Sequence, residues 1–182
     1  NDAPYFIPDG DKFLAGYLNS KVGWWNILSF VPNLRGGFVQ INAEYILPVP
    51  IPQADETQRL AIERAVDSAQ SAAHTRYALQ TALARRIPDL CPPGRDPKLT
   101  TRLQEWWTLP DFAAFRAEVK KVFKADIPLA ERSAWEDWIT RDRAEIARLS
   151  AEITKAEAQI DSIVYALFDL NPDEIALLES VV

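Results

Sequence analysis

Two sets of acidic residues and a lysine match the loose spacing that many metal-dependent nucleases use: Asp89, Asp96, Lys98 and Asp111, Glu118, Lys120. Such a set holds Mg²⁺ and a water molecule close to a phosphate when the second acid and the lysine lie on one strand. The first set lies in a proline-broken loop, and the second lies in a helical pattern of apolar residues. We therefore reject both sets as catalytic or metal-binding sites.

The other residue types that commonly do chemistry occur without partners. His74 is the only histidine, so no multi-histidine metal site or two-histidine relay can form, and Cys91 has no basic neighbour to activate its thiol. Gly36-Gly37 precedes a predicted strand and not a helix with Lys and Ser/Thr, which argues against a phosphate loop. The pairs Trp24-Trp25 and Trp106-Trp107 could stack on bases, although packing is the commoner role. We predict no catalytic and no metal-binding residue.

The composition is that of a soluble protein. The chain has 182 residues, 48% of them hydrophobic, and a net charge of −6, which disfavours nucleic-acid binding through bulk electrostatics. No apolar run approaches the roughly 20 residues that span a bilayer, and no secretory signal opens the chain. A single cysteine suits a reducing cytoplasm. Because the chain begins at Asn1 and contains no methionine, we expect it to be part of a longer protein.

The first 55 residues predict a small mixed region. "PYFIP" at 4–8 and residues 38–41 read as strands, and residues 11–30 read as one helix that Asp11 caps. The buried face of that helix runs from Phe13 to Trp25. Pro48, Pro50 and Pro52 then exclude both helix and strand pairing.

Two long helical seams dominate the rest of the chain. The first runs from Thr57 to Ile87 and has Asp55 or Thr57 as its cap. The second seam keeps apolar residues in alternating steps of four and three over four heptads, and Asp142 occupies the one seam position that is not apolar. Its apolar members are Trp135, Ile139, Ile146, Leu149, Ile153, Ala156, Ile160, Ile163 and Leu167. The two seams most simply pair with each other as an antiparallel hairpin, with a homodimeric coiled coil as the competing arrangement.

These elements together predict an α+β fold. A small mixed α/β lobe at 1–55 would precede a helical spacer domain at 56–182, with a proline-containing connector at 88–110 and a helical tail after Asn171. The spacer would be the antiparallel, coiled-coil-like hairpin.

The order of these motifs resembles a known family. "YFIPDGDKFLAGYLNSKVGWWNIL", "LRGGFVQINAEYILPVPIP" and "ADETQRLAIERAV" are similar to the TaqI-like C-terminal target-recognition domain of restriction-modification methyltransferases. Type I specificity subunits show the same order. The tail from "FRAEVKKVFKADIPLAERSAWEDWI" to "AQIDSIVYALFDLNPDEIALLE" resembles the C-terminus of type IIG-like enzymes. The resemblance covers nearly the whole chain.

The resemblance implies a DNA specificity and spacer module of an adenine-N6 methyltransferase in a prokaryotic cytoplasm. Its partners would be double-stranded DNA and the catalytic domain of the same protein, which would bind S-adenosylmethionine and carry an Asn-Pro-Pro-aromatic motif. That motif is absent here, since "CPPG" at 91–94 lacks the Asn and the aromatic residue. We therefore expect this chain to be catalytically silent, without a cofactor of its own.

The candidate DNA contacts are Lys21, Arg35 and the turn Gly36-Gly37. A cation can pair with a phosphate, and a glycine turn lets backbone N–H groups approach one. The alternative function, from a different class, is a coiled-coil protein-protein interaction module without a nucleic-acid role.

Overall fold

The computed structural model describes residues 10–32 and 42–181, of which 75% are helical. No β-strand occurs among these residues, so the predicted α+β class is wrong. Both predicted strands lie outside the described residues, and Ala43–Ile46, which precedes the prolines, forms a helical turn. The first region looked β-rich because of its aromatic and β-branched side chains. Such side chains report burial and packing rather than a backbone preference, and those among the described residues, such as Phe13, Tyr17 and Val22, fill a helical core.

The helices of the described residues are α1 (Lys12–Asn19), α2 (Lys21–Phe30), α3 (Ala43–Ile46), α4 (Glu56–Ala84), α5 (Thr101–Gln104), α6 (Phe112–Phe123), α7 (Arg132–Leu167) and α8 (Pro172–Val181). Short 3₁₀ turns lie at Ile87–Leu90, Trp106–Thr108 and Leu129–Glu131. The chain divides into two compact units, unit 1 (1–70 and 154–182) and unit 2 (71–153). Both α4 and α7 contribute residues to each unit. The predicted boundary after residue 55 falls inside unit 1, just before α4.

The single helix predicted from Asp11 is instead two helices, because the chain turns at Ser20. Ser20 has an extended backbone, with φ −73° and ψ 160°, and its hydroxyl accepts the Gly23 N–H at 3.1 Å while donating to the Tyr17 carbonyl at 2.7 Å. A Cβ on Gly23 would lie 2.0 Å from that carbonyl oxygen, so the turn requires glycine. Asp11 caps α1 as predicted, accepting the Leu14 N–H at 2.8 Å.

The core of unit 1 joins α1 and α2 to the first half of α4 and the last part of α7. Its buried members come from all four helices: Phe13, Tyr17, Val22, Ile27, Ile62, Ala65, Val66, Ala156, Ile160 and Val164. Gly16 permits the close approach of α1, because a Cβ there would lie 2.5 Å from Ile62 Cγ2 and 3.0 Å from Val66 Cγ2. Burial of this apolar surface supplies the main driving force for the packing.

In unit 2 the second half of α4 runs antiparallel to the first part of α7. Ala72 packs with Leu149 and Ile153, whereas Leu83, further along α4, shares a cluster with Ile139 near the start of α7. Residues between the two helices complete this cluster: Leu103, Trp106, Leu109, Phe115, Val119, Phe123 and Ile127. The segment 88–110, predicted as a connector, therefore supplies part of a hydrophobic core.

The polar gap in the α7 seam is a buried carboxylate whose hydrogen bonds are made. Asp142 is only 3% exposed, and its Oδ2 accepts the Trp138 indole N–H at 2.7 Å while Oδ1 accepts from Arg141 Nε at 3.0 Å. A single polar residue at a seam position commonly fixes the register of paired helices.

Candidate functional site

Lys21 is the candidate DNA contact that lies within the described residues, and it begins α2 against α7 and α8. Its Nζ pairs with Glu179 Oε1 at 2.7 Å and lies 3.8 Å from Asp161 Oδ2. Its backbone N–H donates to Asp161 Oδ1 at 2.9 Å, and the Tyr165 hydroxyl donates to Glu179 at 3.0 Å. These contacts tie the start of α2 to the end of α7 and to α8.

The charges of this network support one another. The hydrogen bond from Lys21 is the main cause that lowers the pKa of Glu179, and the hydrogen bond from Tyr165 is the second cause. The hydrogen bond to Glu179 in turn raises the pKa of Lys21. Burial is the main cause that raises the pKa of Tyr165 to about 12. A DNA phosphate would have to displace Glu179 from Lys21, so the role of Lys21 in DNA contact stays a prediction. Arg35 and Gly36-Gly37 lie outside the described residues, and their roles also stay predictions.

The proline-rich segment that leads into α4 is held by a side chain of α1. The Tyr17 hydroxyl donates to the Pro50 carbonyl oxygen at 2.6 Å and accepts from Asn26 Nδ2 at 3.1 Å. Val49, between two of the prolines, is buried in the core of unit 1. The segment is therefore held against α1 and α2 by these contacts.

The start of α4 follows the predicted cap. Asp55 Oδ1 accepts the Gln58 N–H at 2.8 Å, and Gln58 Oε1 accepts the Asp55 N–H at 3.0 Å. This reciprocal pair is a capping box, which satisfies two backbone donors that the first turn of a helix leaves unpaired. The structure thus selects Asp55 over Thr57 as the cap.

An apolar groove lies between α2 and α8 in unit 1. It encloses about 260 Å³, and its lining includes Trp25, Phe168, Leu177 and Val181. Three of these side chains are strongly exposed, at 48% for Trp25, 67% for Leu177 and 63% for Val181. Large apolar side chains exposed together mark surfaces that contact other molecules.

The groove was missed from the sequence because of the turn at Ser20. Continuing one helical period across the turn placed Trp25 on the buried face, whereas the new helix presents Trp25 to solvent. The signal that could have revealed the groove lies in α8, where Leu177 and Leu178 are adjacent and therefore point to different sides of the helix.

The two acid-acid-lysine sets have other tasks in the structure. Asp111 Oδ1 caps α6 by accepting the Ala114 N–H at 2.7 Å, and Asp89 pairs with Arg86 at 3.7 Å. Glu118 is buried in α6. Within residues 10–32 and 42–181, no three His, Cys, Asp or Glu side chains are grouped so that they could hold a metal ion.

The two tryptophan pairs differ in their surroundings. Trp106 is fully buried, and its indole N–H donates to the Gln80 carbonyl at 3.0 Å while Trp107 packs edge-on against it. Trp24 packs against the core of unit 1, whereas Trp25 opens onto the groove. Neither pair therefore presents two free ring faces on which bases could stack.

The described residues define an all-helical protein in which two long helices serve both units. No helix of this part of the chain is both long enough and apolar enough to cross a membrane. Residues 55–164 match the family described as a domain of unknown function (DUF8810), and the chain belongs to this family. The match begins at the capping residue of α4 and ends near the last turn of α7. Neither a curated protein nor a solved structure was found to match the chain.

Proposed function

We propose that this chain is the DNA-recognition and spacer part of a restriction-modification adenine-N6 methyltransferase of the type IIG-like class. The resemblance described above supplies the class. One structural observation carries the proposal further: the segment that resembles a recognition lobe is fastened directly to the two long helices of the spacer.

Three kinds of contact make this fastening in unit 1. Gly16 lets α1 pack closely against α4, because a Cβ at this position would lie 2.5 Å from Ile62 Cγ2 and force a shift. Arg59 of α4 pairs with Asp11, and its guanidinium lies 4.5 Å from the centre of the Phe13 ring. Steric fit, charge and cation–π attraction therefore hold α1 in one orientation on α4.

A rigid mount of this kind suits a spacer. A recognition lobe fixed to long helices transmits its position on double-stranded DNA to the catalytic domain of the same protein. That domain would bind S-adenosylmethionine and present the flipped adenine to it; we assign no residue of this chain to the cofactor or to catalysis. The proposed location is the cytoplasm of a prokaryotic cell.

The reading frame that encodes this chain provides the first test. We expect an Asn-Pro-Pro-aromatic motif upstream of Asn1 in the same frame, because adenine methyltransferases use this motif to hold the flipped base. An unrelated domain in that place would contradict the proposal.

The fastening of α1 is tested by Gly16→Val in the intact parent protein. The added side chain collides with Ile62 and Val66, so we expect the loss of site-specific adenine methylation in mapped host DNA, with S-adenosylmethionine binding retained. Ala78→Val adds two methyl groups at an exposed position of α4 and should leave methylation unchanged. Full methylation by the Gly16→Val protein would count against a rigid mount.

The groove between α2 and α8 favours a second candidate, an interaction module without a nucleic-acid role. In that case two copies of the chain would cover the exposed Trp25, Leu177 and Val181 of each other. This candidate predicts that sedimentation equilibrium detects a dimer that Leu177→Ser dissociates, and that no adenine methylation depends on the gene. A monomer whose gene is required for methylation would exclude it.

A further inference from the structure

The charge of the chain is divided unevenly between its two units. Unit 1 contains six lysines and arginines and fourteen aspartates and glutamates, a net charge of −8. Unit 2 contains fourteen lysines and arginines and twelve aspartates and glutamates, a net charge of +2. The two net charges add up to the −6 of the whole chain. A polyanion is repelled by the field of the first unit and not by that of the second. Phosphate contacts are therefore favoured in unit 2 and disfavoured around Lys21.

Two cations of unit 2 share one buried anion beside the end of α6. Glu118 is 4% exposed, and its carboxylate lies 3.8 Å from Arg102 Nη1 and 3.5 Å from Lys121 Nζ. The Thr100 hydroxyl donates to the same carboxylate at 3.3 Å. The side chains of Arg102 and Lys121 are 62% and 68% exposed. Because two exposed positive charges face one buried negative charge, the surface stays positive.

Two further cations lie at the C-terminal end of α6. Arg95 comes from the loop before α5, and its Nη1 donates to the Phe123 carbonyl oxygen at 2.9 Å. Lys124 follows with a left-handed backbone, φ 54° and ψ 27°. Glycine and asparagine adopt this conformation at a helix end with the least strain, so a lysine is held there at a conformational cost. We name Arg95, Arg102, Lys121 and Lys124 the α6 basic surface.

The surroundings of the α6 basic surface suit a nucleic acid better than a membrane. All of residues 92–124 are described, and none of the large, strongly exposed apolar side chains lies among them. Stable membrane binding by a basic segment also needs apolar side chains that insert below the headgroups. Contacts to a phosphate backbone need only exposed, hydrogen-bonding cations. Asp96, Glu105 and Asp111 are exposed in the same segment, and they are outnumbered by its cations.

We propose that the α6 basic surface contacts the phosphate backbone of duplex DNA without reading its base sequence. The inference rests on the proposed function and adds to it the residues that touch the duplex. Positioning contacts of this kind fix the orientation of a protein on DNA, while base reading belongs to other residues.

The test is the binding of the full 182-residue chain to a fluorescent 30-base-pair duplex across a series of NaCl concentrations. The slope of log K against log [NaCl] is negative, and each lost phosphate contact makes it less steep by about 0.9, so Lys121→Gln/Lys124→Gln should make it less steep by about 2. The control, Lys12→Gln/Lys155→Gln, removes the same charge from unit 1 and should change the slope little. Lys124→Asn should fold at least as stably as the natural chain, since asparagine tolerates the left-handed backbone, and yet bind DNA more weakly.

The outcomes separate this inference from the proposed function. If the natural chain binds the duplex and Lys121→Gln/Lys124→Gln binds with an unchanged slope, the α6 basic surface does not contact DNA. The proposed DNA-binding function is not contradicted by that result. If the unit 1 control makes the slope less steep by the same amount, bulk charge governs binding, and the proposal that the α6 basic surface contacts DNA is wrong. Failure of the natural chain to bind the duplex at 50 mM NaCl overturns both proposals, whether or not it binds phosphatidylserine vesicles.

Discussion

Tyr17 shows how one side chain combines several tasks in unit 1. It is fully buried, its ring stacks on Phe168 with 6.0 Å between the centroids, and its hydroxyl joins Pro50 and Asn26. Burial is the main cause that raises the pKa of this hydroxyl, so it remains a neutral donor over the physiological range. The side chain therefore links α1, α2 and the proline-rich segment before α4.

Tyr17→Phe should destabilise the protein by about 1 to 2 kcal/mol. The ring and its stacking remain, but the Asn26 amide loses its acceptor and the Pro50 carbonyl loses its donor. Urea unfolding followed by circular dichroism measures the change. Tyr77→Phe is the matched control, because Tyr77 is 66% exposed and its substitution should change stability by less than about 0.5 kcal/mol. An equal effect of the two substitutions would refute the anchoring role.

At the scale of elements, the turn between α1 and α2 determines which side chains reach the core and which reach the groove. The turn depends on Ser20 as the cap of α2 and on Gly23 for the space beside the Tyr17 carbonyl. A change at either position would alter the direction of α2 and with it the position of Trp25.

Gly23→Ala should cost roughly 3 kcal/mol, because its Cβ would meet backbone atoms that cannot move without breaking the turn. Gly94→Ala is the control: a Cβ there meets nothing within 4 Å, and only its φ of 84° is unfavourable. We expect about 1 kcal/mol from that backbone strain. Differential scanning calorimetry of both variants measures the two losses of stability. A larger loss of stability for Gly94→Ala than for Gly23→Ala would contradict the steric explanation.

The sequence predicted the long helices better than the rest. The seam of α7 was placed correctly because Ile139, Ile146 and Leu149 recur at the interval that one helix face requires, and all three are buried. At the end of the seam Val164 is buried at 0%, whereas the predicted Ile163 is only partly buried, as expected when a helix of 3.6 residues per turn drifts from a strict heptad.

Other features depend on tertiary contacts that no local pattern reveals. Ser20 is favoured at a helix cap but is also tolerated inside a helix, and the apolar spacing continues across it, so the break between α1 and α2 was not predicted. The core position of Trp106 arises from packing against α4, far away in sequence, and the segment was therefore mistaken for a connector. In the candidate site, Lys21 was predicted as a DNA contact because of its charge. Its pairing with Glu179 could not be predicted, because the two residues lie 158 positions apart.

At the scale of the whole molecule, continuous helices connect the two units. The boundaries after residues 70 and 153 cut through α4 and α7 without a break in either helix. Helical hydrogen bonding is cooperative, so a half-helix without its packed partner is marginal in water. Loss of one unit should therefore weaken the other through the shared helices.

Ile62→Ala tests this coupling. Ile62 is fully buried in unit 1, and its truncation should cost about 2 to 4 kcal/mol. We expect amide hydrogen exchange to accelerate in α6 of unit 2 as well as in unit 1. Leu60→Ala alters an exposed side chain of the same helix and should leave exchange unchanged. Acceleration confined to unit 1 would show that the units unfold independently.

The division of the chain also has a consequence for its synthesis. Unit 2 is continuous from 71 to 153, whereas unit 1 takes residues from both sides of it. On the ribosome, unit 2 can close as soon as residue 153 has emerged, while α1 and α2 must wait for the last turns of α7. Until then Phe13 and Ile62 lie uncovered. In nascent chains stalled further along, at a length that has just brought residue 153 out of the exit tunnel, protease should cut the first 70 residues and spare residues 71–153.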